Sequence, residues 1–227
     1  MQYEIKQRPD FAVARVLFDQ PGEELVVEAS AMVAKDSALA MKTNLQGGLG
    51  GALKRKMLGG ESLFQNTFTA SQTGETLWIA PGPDGDMDCV VLDGSQPIFL
   101  SSGAFVASAP TVTLDTKFQG VKGFFSGTSL FMIKAEGQGP LFFGCYGGIH
   151  KVDVGPGGYI VDNNHIVGFT GGLEYNVRTV GGLMGAFASG EGMVCEFSGT
   201  GSVWISTRNP GGLARFLHPF RPVKSSR

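Results

Sequence analysis

The 227-residue chain is poor in the residues that carry most protein chemistry, with three cysteines, three histidines and two tryptophans. Cys89, Cys145 and Cys195 are far apart and form no C-x-x-C pair, which excludes a disulfide framework and a zinc knuckle and leaves buried free thiols. His150, His165 and His218 form no H-x-H or H-x-x-x-H pair, so a cupin-style metal site has too few ligands, and no cofactor is expected. Charge is scarce too, at 17% of residues with a formal net charge of -2, so nothing draws the whole molecule to nucleic acid or to an anionic membrane. Nucleic acid is therefore disfavoured as a partner, and any contact with an anionic surface has to be local. No apolar run approaches the ~20 residues of a membrane helix, and the opening MQYEIKQRPDFAVARV lacks the basic-then-apolar pattern of a signal peptide. A soluble cytoplasmic protein is expected.

What the chain does have is glycine, 35 residues, roughly twice the usual share and without a three-residue period. Many short strands joined by tight turns follow from that, and hence an all-β fold. The strands recur. PGEELVVEASAMVAKDSALAMKT, GSQPIFLSSGAFVASAPTVTLDT and GPGGYIVDNNHIVGF align, with Leu25, Ile98 and Tyr159 at one position and Val27, Leu100 and Val161 two residues on. Val26, Phe99 and Ile160 lie between them, so both faces of this strand are apolar and it is expected to be sandwiched. Leu39 and Met41, Val112 and Leu114, and Tyr175 and Val177 then mark a strand with one core face. Trp78, Phe142 and Trp204 close each copy, about 62 to 64 residues apart, and each is expected to anchor the core of its own unit. The chain thus divides into three β repeats, 1–86, 87–148 and 149–227, the last with a basic tail, joined by the tight linkers PGPDGDM and GGIHK. Units this small bury too little alone, and closing them around a pseudo-threefold axis would also cover their sheet edges.

A glycine-rich segment recurs in each repeat. In the first, Leu49, Ala52, Leu53, Met57 and Leu58 follow helical spacing with Lys54, Arg55 and Lys56 opposite, which predicts one short helix within residues 49–58. The later copies carry Phe124 and Phe125, then Leu183, Met184 and Phe187. Ring closure would gather these segments at one end of the body. Leu49, Leu53, Lys54, Arg55, Lys56, Met57, Phe124, Phe125, Leu183, Met184 and Phe187 are accordingly the candidate partner-binding residues, for another copy, a protein partner or an anionic membrane surface. No catalytic residues stand out: Cys145 and Cys195 sit in apolar runs, GGLGG and VGPGG match no phosphate-binding spacing, and Asp162-Asn163-Asn164-His165 aligns with the repeated turn.

The PGEELVVEASAMVA opening, the GGLGGALKRKMLGGESLF segment and the closing FSGTGSVWISTRNP together resemble the altered-inheritance-of-mitochondria protein twenty-four family, over nearly the whole chain. The resemblance implies a fold like the tryptophan RNA-binding attenuation protein (TRAP-like), with three β-sandwich repeats around a pseudo-threefold axis. It also implies a link to mitochondrial inner-membrane organisation in the mitochondrial members, while this chain looks like a prokaryotic cytoplasmic one. It supplies no catalytic residues. A noncatalytic scaffold or interaction protein is the leading reading, and a small-ligand or RNA binder by fold analogy is the alternative.

Overall fold

In Val13–Leu17, Glu24–Glu28 and Thr76–Ile79, apolar residues fall at every second position, so one face of each can leave water. Ala14, Val16, Leu25, Val27, Leu77 and Ile79 are fully buried as a result. The structure is a computed structural model and describes residues 1–45, 64–115, 132–179 and 193–221. It is built almost wholly of strands. β1 (Gln2–Lys6) leads into a first set, β2 (Val13–Leu17), β3 (Glu24–Glu28), β4 (Met32–Lys35), β5 (Ala40–Leu45), β6 (Phe64–Thr69) and β7 (Thr76–Ile79). A second set follows, β8 (Met87–Asp93), β9 (Ile98–Ser101), β10 (Phe105–Ser108), β11 (Val112–Asp115) and β12 (Met132–Gly144). The third is β13 (Ile149–Val154), β14 (Tyr159–Asp162), β15 (Ile166–Thr170), β16 (Leu173–Thr179), β17 (Met193–Gly199) and β18 (Gly201–Ser206).

Within each set the strands pair in the same antiparallel scheme. β7 lies between β2 and β4, β12 between β8 and β10, and β18 between β13 and β15. The other layer has β6 between β3 and β5, β12 again between β9 and β11, and β17 between β14 and β16. β12 serves both layers of the second set. Gly137 and Gly139, at φ 128° and 114°, let it change direction, and a Cβ at Gly137 would collide with the Thr111 carbonyl. A bulge recurs at one place in each set: Met32 and Ala34 face Ile79 and Trp78, Phe105 and Ala107 face Phe143 and Phe142, and Ile166 and Gly168 face Ile205 and Trp204.

Ladders also join one set to the next. Val27 and Val26 face Ala107 and Ser108, while Leu100, Phe99 and Ile98 face Gly168, Phe169 and Thr170. Among the described residues β4 has only β7 as a strand neighbour and β14 only β17. Two ladders between sets are therefore present among the described residues.

The cores follow this stepwise packing and correct the expected role of the closing aromatics. Leu141 and Phe143 lie in the core of their own set, but Phe142, on the opposite face of β12, fills the core of the first set beside Leu25 and Phe68. Trp204 likewise enters the core of the second set, edge-on to Phe143 at 5.5 Å, and donates its indole N–H to Asp88 at 3.2 Å. Among the described residues Trp78 belongs to none of the three cores and is partly buried, so it does not anchor the core of its own unit as expected. Met41 also departs from its expected core face and lies 49% exposed.

The two linkers meet in a bridge between Gly85 and Gly147, where Asp86 is the knot. Its carboxylate accepts from Arg8 Nε and Nη2 at 2.8 and 3.0 Å and from the Ile149 amide at 3.2 Å. Asp86 thereby ties the leader to the start of the third set.

Candidate functional site

The residues that sequence reasoning singled out, Leu49, Leu53, Lys54, Arg55, Lys56, Met57, Phe124, Phe125, Leu183, Met184 and Phe187, all lie outside the described residues, as does the expected helix at 49–58. The described strands fix where those segments attach. Each joins the two strands of an antiparallel pair, β5 to β6, β11 to β12 and β16 to β17, at the corresponding strand ends.

Sequence reasoning, which confined any helix to residues 49–58, missed a helix in the basic tail. α1 (Pro210–Leu217) begins with proline in its first turn, and Asn209 caps it by accepting from the Gly212 amide at 2.7 Å. The cap is held in turn by the third set. His165 Nδ1 lies 2.7 Å from the Ser206 carbonyl, which can only accept, so the proton sits on Nδ1 and Nε2 accepts from Asn209 Nδ2 at 2.9 Å. Leu213, Phe216 and Leu217 with Phe220 fall at i, i+3, i+4 and i+7, one stripe down the helix and the following turn. None is covered: Phe216 and Phe220, whose rings are 5.8 Å apart, are 67% and 75% exposed. Arg208, Arg215, His218 and Arg221 accompany the stripe without a single acid. The signal that could have found it is Asn209-Pro210 ahead of that apolar spacing, obscured by two glycines in the first turn.

Beside the cap, a cleft of about 420 Å³ opens between the second and third sets, lined by Ser101, Ser102, Cys145, Asn163, Ser206 and Arg208 among others. Asn163 is buried and its Oδ1 has no hydrogen-bond partner. Its neighbour Asp162 accepts from the Asn164 amide at 2.7 Å, which makes the Asp162–His165 cluster the repeated turn rather than a ligand set. Among the described residues no group of three or more acidic, histidine or cysteine side chains is arranged to hold a metal.

The thiols are poor nucleophiles. Burial pushes Cys89 up to about 11 and both Cys145 and Cys195 up to about 12, so little thiolate forms at neutral pH.

A second kind of exposed apolar surface lies at the two open edges. In β4, Val33 is 59% exposed, whereas its counterparts Val106 and Val167 are at 1% and 2%. In β14, Tyr159 and Ile160 are 39% and 50% exposed, whereas Leu25 and Ile98, at the position of Tyr159, are buried. The third copy of the strand expected to be sandwiched is thus exposed at Tyr159 and Ile160, while Val161 is buried.

Among the described residues no helix is long and apolar enough to cross a membrane. The pattern of the mitochondrial biogenesis AIM24 family matches residues 3–208, a span that ends just short of α1. An uncharacterized protein, M6_Spy0233, from Streptococcus pyogenes serotype M6 is 29% identical over 234 residues, covering 100% of this chain and 93% of the relative. The crystal structure of protein SPYM3_0169 from Streptococcus pyogenes superposes with a TM-score of 0.76 at 27% identity, covering 97% of this chain and 99% of that one.

Proposed function

The chain belongs to the mitochondrial biogenesis AIM24 family, and from that premise we propose that it is a noncatalytic interaction protein that docks peripherally on an anionic membrane surface. The observation that carries this is α1, whose apolar stripe is left uncovered and whose neighbouring charges are all basic. Such an element buries its apolar side at the headgroup boundary while its cations meet lipid phosphates. On this reading the glycine-rich segments, with Lys54, Arg55 and Lys56, add to the same contact, and the protein works from the cytoplasmic side. The scaffold behind it is read as three TRAP-like repeats, 1–86, 87–148 and 149–227, disposed about a pseudo-threefold axis. The bulge repeated opposite Trp78, Phe142 and Trp204 and the repeated ladder between sets support that reading.

Co-sedimentation with phosphatidylglycerol vesicles tests the proposal. Binding should exceed that to neutral phosphatidylcholine vesicles, weaken with salt, and fall at least tenfold in the Phe216→Asp/Phe220→Asp variant, whose altered side chains are exposed. Equal binding to both vesicle types, or a variant that binds undiminished, overturns it. The alternative, a small-ligand or RNA-binding role, has the cleft around Asn163 in its favour. A protein that ignores vesicles but melts higher with a polar metabolite or RNA would put that reading in its place.

A further inference from the structure

We propose that the cleft between the second and third strand sets binds a small polyol carrying a phosphate, its hydroxyls meeting Asn163 and its anion meeting Arg208. The starting point is Asn163, whose side chain lines the cleft, is 3% exposed and has no partner for Oδ1. A buried polar atom without a hydrogen bond costs stability, and one beside a cleft is an acceptor for whatever donor enters. The turn does not require it. Asp162 accepts from both the backbone amide and the side-chain amide of Asn164, at 2.7 and 3.0 Å, and the equivalent positions of the other two turns hold Ala29 and Ser102. No bond at Oδ1 holds the Asn163 amide, so a rotation about Cβ–Cγ is enough to turn it toward a ligand.

The rest of the lining narrows the ligand's chemistry. Ser101 Oγ donates to the Val167 carbonyl at 3.1 Å and Ser206 Oγ to the His165 carbonyl at 3.3 Å, so both hydroxyl protons are committed and both oxygens are left to accept. With Asn163 this makes three acceptors, which call for several O–H donors on one molecule. Among the described residues no carboxylate lines the cleft, and Arg208 is the one charged residue that does. Its position is set against the second linker, where a Cβ on Gly147, at φ 82°, would come within 2.9 Å of Arg208 Cβ. Nη1 donates to the Thr207 carbonyl at 2.8 Å, which leaves the other donors of the guanidinium for an anion. Pro210, the first residue of α1, also lines the cleft, so the positive end of that helix adds to the same field.

Size agrees with this chemistry. The cleft's volume of about 420 Å³ equals that of roughly 14 liquid waters at about 30 Å³ each, which accommodates a sugar or glycerol phosphate. The same groups occur in a free metabolite and in the polyol headgroup of an anionic lipid. The site takes up the cleft behind the ligand-binding alternative and needs nothing from the apolar stripe of α1, so it stands whether or not the protein docks on vesicles.

Calorimetric titration of the intact protein with glucose 6-phosphate and glycerol 3-phosphate tests it, with glucose, glycerol and inorganic phosphate as controls. At least one of the two should bind with a dissociation constant below about 1 mM and at least tenfold tighter than any control. Asn163→Ala should keep the wild-type circular dichroism spectrum, since Ala29 holds the same turn, and should weaken the polyol phosphate at least tenfold while leaving inorganic phosphate unchanged. Asn163→Asp keeps the side chain's shape but sets a negative charge against the anion, and should lose the polyol phosphate as well. Arg208→Gln, at an exposed position, should weaken polyol phosphate and inorganic phosphate alike, whereas Phe216→Asp/Phe220→Asp should bind both as wild type does. Vesicles of phosphatidylglycerol identify the source: a headgroup in the cleft makes vesicle binding fall in Asn163→Ala, a free metabolite leaves it unchanged, and either result upholds the site. Polyol phosphates that bind no tighter than inorganic phosphate, or Asn163 variants that bind them undiminished, would each overturn the proposal.

Discussion

Replacing Trp204 by Ala removes a ring that is 3% exposed and packed against Phe143 with its N–H on Asp88, and should cost about 3–5 kcal/mol in urea unfolding. The same change at Trp78 removes a half-buried ring and should cost the monomer roughly half as much or less. Equal losses at the two positions would mean that the first set covers its own tryptophan. Glu75 is the other informative residue. Burial pushes its carboxyl up, but the Ser71 hydroxyl and amide, both at 2.7 Å, and the Gln72 amide more than offset this and hold it below the usual 4.5. With the folded value depressed, its stabilisation is fully present above the unfolded value and is lost as pH falls through the folded one. Glu75→Gln should therefore flatten the fall in stability between about pH 5 and pH 3 relative to wild type, as measured by denaturant midpoints across that range.

At the scale of elements, the β9–β15 ladder rests on Gly168. A Cβ there would come within 2.8 Å of the Phe99 carbonyl and of Leu100 Cδ2, so Gly168→Ala should force the two strands apart and loosen the joint between the second and third sets. Faster amide exchange confined to residues 98–101 and 166–170 is the expected sign. Ala34, at the same position in β4, faces no such neighbour strand among the described residues, and Ala34→Val should leave amide exchange unchanged. The strands themselves were legible because alternation and turn glycines are local signals: Leu25, Ile98 and Tyr159 each fall at the first or second position of the strand they were assigned to. Which core an alternating residue enters was not legible. Phe142 and its neighbour Phe143 look alike in sequence, yet period two sends them to different sets, and only the packing of one set on another tells them apart. α1 was hidden for a different reason, since Gly211 and Gly212 weaken its propensity and the capping partner of Asn209 is His165, 44 residues away.

For the molecule as a whole, sequence reading recovered the all-β class and the family, both of which are written in local motifs. It did not recover the edges left without a second strand neighbour among the described residues, because β4 and β14 are apolar like the strands that are covered. Exposure there depends on what stands alongside, which no local pattern records. The donated aromatic also bears on how the chain is made. The first core contains Met87, Val106, Ala107 and Phe142 of the second set, so when β7 leaves the ribosome that core still has gaps. They stay unfilled until some sixty more residues are added, a delay of several seconds at about 5–20 residues per second. Folding must run one strand set behind translation, and in that interval the nascent first set presents an unfilled hydrophobic core to whatever chaperone or neighbouring polysome is close by.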